Sequence, residues 1–99
     1  GDFATVAVGA QLKLDTKGAV ESVRIGMGAV GPTPVRAKRA EEFLTGKVAT
    51  TDNLGRAAKL AAEESKPTSD LMGSEEYKRA MVEVFARRAL ETAVQRAGR

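Results

Sequence analysis

Cysteine and histidine are both absent from the 99 residues. Their absence removes disulfides, thiol nucleophiles, most zinc sites and the side chain best suited to proton transfer near neutral pH. Aromatic residues make up only 4% of the chain, and Phe3 is the one that falls near the predicted strands. A strand surface that stacks bases needs more than that. No apolar run approaches the roughly 18 residues of a membrane span, and the first residues lack the charged and apolar regions of a signal peptide. No Gly-rich, Lys-terminated phosphate loop occurs, and no pair of carboxylates stands in a recognisable catalytic setting. Taken alone, these residues contain no evident catalytic residues.

What is present fits one compact domain over residues 1–99, with 42% of residues hydrophobic. The chain starts on Gly1-Asp2-Phe3 without a methionine, so the expectation is a fragment or processed product of a longer polypeptide. Sixteen basic and 13 acidic residues give a net charge of +3, too balanced for a nucleic-acid footprint unless the cations converge. They cluster only locally, at Arg36, Lys38 and Arg39 and again at Arg87, Arg88, Arg96 and Arg99. These clusters read either as solvated helix surface, with a cationic C-terminus that complements the helix dipole, or as a surface for an acidic partner.

The first half of the chain alternates with period two. Val6, Val8, Ala10, Leu12 and Leu14 form one apolar face, and Val20, Val23, Ile25, Met27 and Ala29 answer it after an Asp15-Thr16-Lys17-Gly18 turn. Gly18 can take the positive φ of a short hairpin loop. The change of parity between Val20 and Val23 predicts a bulge near Glu21 and Ser22. On the opposite face lie Ala7, Gly9, Gly26 and Gly28. That nearly bare face reads either as the seat of a packed helix or a strained strand, or as a flat surface for another domain or a cofactor. A two-stranded ribbon is marginal by itself, and calls for helices over its apolar face and a further strand from a parent chain.

Residues 28–39 carry the change from strand to helix. Pro32 cannot donate to a sheet ladder and ends the strand; Thr33 is a candidate N-cap and Pro34 a first helical residue, so a helix is predicted over 34–45. Gly46 follows where a left-handed C-terminal cap is wanted. A second helix is predicted from Thr51 or Asp52 through Ala62, stopped by Pro67. The third and longest opens on Ser74, with Glu75 and Glu76 at its positive end, and reaches about Arg96. Its apolar stripe is read as Tyr77, Met81, Val84, Phe85, Ala89, Leu90, Ala93 and Val94, and its solvent line as Glu75, Arg79, Glu83, Arg87 and Glu91. The predicted fold class is therefore α+β: an antiparallel β-hairpin followed by three helices packed on one face.

Three stretches, in this order and spacing, resemble a known family: Gly1-Asp2-Phe3-Ala4-Thr5-Val6-Ala7-Val8, then Gly28-Ala29-Val30-Gly31-Pro32-Thr33-Pro34-Val35-Arg36-Ala37, then Ser69-Asp70-Leu71-Met72-Gly73-Ser74-Glu75-Glu76-Tyr77-Lys78-Arg79. The chain looks like the C-terminal domain of the FAD-binding medium subunit of molybdenum hydroxylases, the carbon monoxide dehydrogenase and xanthine dehydrogenase group. The resemblance implies an electron-transfer subunit of a cytoplasmic oxidoreductase. In that group a large subunit holds molybdopterin, a small subunit holds 2Fe-2S clusters, and the medium subunit's FAD passes electrons to an acceptor. Flavin binding falls mainly to the two preceding domains, so FAD is not expected to bind this piece alone. Asp2, near the family's flavin domain boundary, is the residue the resemblance nominates for an indirect cofactor role, against a plain strand-start aspartate. Arg36 and Arg39 are nominated for domain or subunit contacts, against plain solubility. Two other readings stand beside this one: a freestanding basic interaction module for nucleic acid or protein, and a dimerisation domain of a different flavoprotein.

Overall fold

The computed structural model describes residues 7–28, 35–65 and 74–98. Two long strands, β1 (Ala7–Leu14) and β2 (Val20–Gly28), form the predicted hairpin, and a two-residue strand, β3 (Val35–Arg36), pairs antiparallel with the far side of β2. Three helices follow: α1 (Lys38–Leu44), α2 (Thr51–Glu64) and α3 (Glu75–Ala97). The hairpin turn is set by Asp15, whose carboxylate accepts from the amides of Lys17 at 2.8 Å and Ala19 at 3.0 Å, while Gly18 takes φ +83°. Lys13 pairs with Ser22 and Leu14 with Val20, so Glu21 is the extra residue and the expected bulge is present.

The third strand corrects one expectation: it occupies residues that the Thr33–Pro34 helix-start chemistry assigned to the first helix, so α1 starts at Lys38. The cause is the unfilled side of β2. Gly26 and Met27 take Arg36 and Val35 as partners, and the Ala37 amide donates to the Ile25 carbonyl at 2.9 Å, which keeps the chain extended to that point. Pro32, Thr33 and Pro34 lie outside the described residues. The helix ends as expected, with Gly46 at φ +88°. The turn after it holds the start of β2: the Gly46 amide donates to the Val20 carbonyl at 2.7 Å and the Val20 amide to the Lys47 carbonyl at 2.8 Å.

The other helix starts lie close to expectation. Thr50 caps α2, its hydroxyl accepting from Asn53 at 3.1 Å, one residue before the predicted Thr51 or Asp52. Ser74 caps α3 as predicted, accepting from the Tyr77 amide at 3.0 Å. Pro67, the expected stop of α2, lies outside the described residues.

All three helices cover the same side of the sheet. The helix α3 packs on β1 and α2, and α1 packs on β2 and α2. Val20, Val23, Ile25 and Met27 of β2 are buried under them with Leu44, Leu54, Val82 and Leu90. Each fully buried side chain of this size contributes about 1.5–3 kcal/mol. The α3 stripe is rotated from the predicted one. Lys78, Val82, Ala86, Leu90 and Ala93 are buried, whereas Tyr77 is 57% and Val84 37% exposed. This helix faces two neighbours at once, and alanines and a lysine stem fill the close contacts that a stripe of large apolar residues would otherwise mark. The charged line from Glu75 to Glu91 lies outside the buried set, with Arg79 and Glu75 paired at 3.0 Å.

Candidate functional site

The region around the β2–β3 edge contains two glutamates whose carboxylates do backbone work. Glu41, in the first turn of α1, is only 7% exposed. Its Oε2 accepts from the Ile25 amide at 2.8 Å and from Arg36 Nε at 2.9 Å. It therefore supplies the acceptor that a longer β3 would have offered to β2, and ties the sheet to α1 in the same contact. Glu64, the last residue of α2, accepts from the Arg39 and Ala40 amides, each at 3.0 Å. Those are orphan donors at the start of α1, where no local side chain caps the helix. The carboxylate sits at the negative end of its own helix but at the positive end of α1, which offsets the unfavourable placement.

These contacts place the two nominated arginines. Arg36 is half-exposed on β3 and paired with Glu41; Arg39 is exposed, and its main chain, not its guanidinium, is what α2 holds. Arg36 precedes α1 and Arg39 lies in its first turn, and the two do not converge on a shared pocket. Asp2 lies outside the described residues. Sequence reasoning missed Glu41 and Glu64, because their partners are backbone amides 16 to 25 residues away and a glutamate on a short helix carries no local sign of burial.

The outer face of the sheet is the second feature. Ala7 pairs with Gly28 and Gly9 with Gly26, so two adjacent cross-strand pairs carry almost no side chain. A Cβ added at Gly9, Gly26 or Gly28 would meet nothing within 4 Å, and none of the three has positive φ. Among the described residues neither a positive φ nor a covering helix accounts for these glycines. Beside it stand the cations Lys13, Arg24 and Arg36. Arg24, Gly26, Gly28, Val35 and Arg36 line a shallow groove of about 390 Å³. No group of three or more metal-ligating side chains occurs among the described residues.

Each helix start among the described residues is already filled by a side-chain oxygen: Glu64 at α1, Thr50 at α2 and Ser74 at α3. Asp52 adds negative charge in the first turn of α2, and Glu75 and Glu76 do so in α3. The two positive-φ glycines among the described residues, Gly18 and Gly46, belong to a hairpin turn and a helix end. This arrangement has no cradle for a phosphate. What it offers is a flat backbone surface with cations at one side.

Residues 1–93 match the family described as CO dehydrogenase flavoprotein C-terminal domain. The chain is 36% identical over 97 residues to the carbon monoxide dehydrogenase medium chain of Afipia carboxidovorans, covering 98% of this chain and 33% of that one. It is 32% identical over 91 residues to the glyceraldehyde dehydrogenase medium chain of Sulfolobus acidocaldarius, covering 92% of this chain and 32% of that one. Its fold superposes on a quinoline 2-oxidoreductase chain from Pseudomonas putida with a TM-score of 0.90 at 35% identity, over 98% of this chain and 34% of the other. The chain thus spans about a third of the length of the relatives it matches. Near-complete coverage of a chain with this sheet order and helix layer shows that it belongs to the CO dehydrogenase flavoprotein C-terminal domain family.

Proposed function

We propose that the chain is the C-terminal accessory domain, a single unit over residues 1–99, of the FAD-binding medium subunit of a cytoplasmic molybdenum hydroxylase. In this reading it supports electron transfer from iron–sulfur clusters through FAD to an acceptor and carries no reaction by itself. The observation that supports it is the family match over residues 1–93, together with 36% identity to a carbon monoxide dehydrogenase medium chain.

The described residues do not fit the pyrophosphate of FAD, since every helix start is occupied and all three helices carry acidic residues in the first turn. As the family resemblance implies, flavin binding is assigned to a preceding part of the subunit. The bare outer face, with Gly9, Gly26 and Gly28 open, is the surface suited to lie against that part. A base-stacking role has little support, because the aromatic residues among the described ones, Phe43, Tyr77 and Phe85, are all on helices. No helix among the described residues is long and apolar enough to cross a membrane.

The test is purification of the parent polypeptide under a mild tag. Flavin absorbance, together with co-purification of an iron–sulfur chain and a molybdenum-containing chain, is expected. A parent reading frame without an upstream flavin-binding region, or a preparation free of flavin, overturns the proposal.

A further inference from the structure

The open edge of β1 carries an inference that does not depend on the flavoprotein reading. In the strand order β1-β2-β3, no strand lies beyond β1 among the described residues. The direction of its backbone groups follows from β2. Ile25 spends both its groups on the β3 side, its amide on Glu41 and its carbonyl on Ala37. By alternation Gly26 and Arg24 turn toward β1 and bond Gly9 and Gln11. Val8, Ala10 and Leu12 therefore direct their N–H and C=O groups outward. Eight residues long, free of proline and with Lys13 as its one charge, β1 lacks the usual protections of an edge.

Beside this edge runs a groove of about 460 Å³ between β1 and α3. Val8, Ala10, Phe85, Ala89 and Ala93 give it apolar walls, and Arg88 and Arg96, both exposed, stand along it with no acidic residue in the lining. None of the described residues pairs with either arginine. We propose that the β1 edge and this groove receive an extended, acidic segment of a partner polypeptide, which adds to the sheet as a further strand.

Three observations select that occupant. The edge alternates donors and acceptors, which an extended peptide backbone matches and a phosphodiester, with acceptors only, does not. The unpaired arginines call for carboxylates. A second copy of this chain is disfavoured, since a two-fold β1–β1 seam would bring Arg88 and Arg96 of both copies together.

The probe is a fluorescent peptide, acetyl-Glu-Thr-Val-Thr-Glu-Thr-Val-amide, which places glutamate and valine on one face of a strand. Its counterpart with lysine for glutamate is the control. Added to the 99-residue chain, the acidic peptide is expected to give saturable anisotropy and to shift the amide resonances of Val8, Ala10 and Leu12. R88E/R96E should weaken binding by about tenfold or more, as two ion pairs become repulsions. A10P should abolish it, since the outward amide is lost while the β2 ladder is kept; circular dichroism checks that each variant folds. If A10P does not fold, the charge reversal decides. Equal binding of the lysine peptide, unchanged binding to R88E/R96E, no binding up to about 1 mM, or a dimer joined at this edge in sedimentation each overturns the proposal.

Discussion

Replacing Glu41 by alanine tests whether a carboxylate truly stands in for a missing piece of strand. The Ile25 amide is completely buried and donates to Glu41 at 2.8 Å. A hydrogen bond to a charged acceptor contributes about 1.5–3 kcal/mol, and its loss leaves a buried donor without a partner. The Arg36 half of the interaction is different, because Arg36 is 48% exposed, and screening limits such a pair to about 0.2–1 kcal/mol. E41A should therefore cost about 3 kcal/mol, a fall of roughly 12–24 °C in Tm for a domain of this size. R36A should cost less than about 1 kcal/mol. E41Q keeps an acceptor for Ile25 but not the charge, and should fall between them. Urea unfolding followed by circular dichroism measures all three. Amide hydrogen exchange supplies the second readout: the Ile25 amide should exchange much faster in E41A and remain protected in R36A. Equal costs for E41A and R36A, or an unchanged Ile25 exchange rate, would refute the assignment of Glu41 to the sheet.

Two further outcomes follow from the same geometry. Removing the shared cap with E64A should destabilise the chain by about 1–2 kcal/mol, and exchange should rise at Arg39 and Ala40 before it rises elsewhere; a uniform rise would argue against a capping role. The glycines separate by conformation: G26A, in open space without positive φ, should be neutral or stabilising by up to about 1 kcal/mol, whereas G18A, at φ +83°, should cost about 1 kcal/mol or more. Thermal melts of the two variants check the contrast, and a matching loss in both would show that G26 is held by something other than its strand.

Much of the fold is legible in local pattern. Period-two alternation located β1 and β2, the parity change located the bulge at Glu21, and Gly18, Gly46 and Ser74 marked turns and caps because their chemistry acts within a few residues. The failures share one cause, which is dependence on distant neighbours. A two-residue strand such as Val35–Arg36 has no period to detect, and it exists because β2 has an unfilled side. Tyr77 and Val84 look like core residues, but the orientation of α3 is chosen jointly by β1 and α2, which prefer alanine and the stem of Lys78. Glu41 and Glu64 resemble ordinary solvated carboxylates until the fold brings amides to them. The outer face was readable as bare, but only the structure shows that none of the described residues covers it.

The carboxylate at Ile25, the short β3 and the turn at Gly46 together finish one border of the sheet, while the other ends at β1. Among the described residues, long-strand addition is therefore open on one side of the sheet. An open-ended array needs two complementary borders on each copy, and the described residues show a single long unfilled one. Whatever joins it there completes the sheet, so the domain takes one neighbour at that border and the assembly terminates.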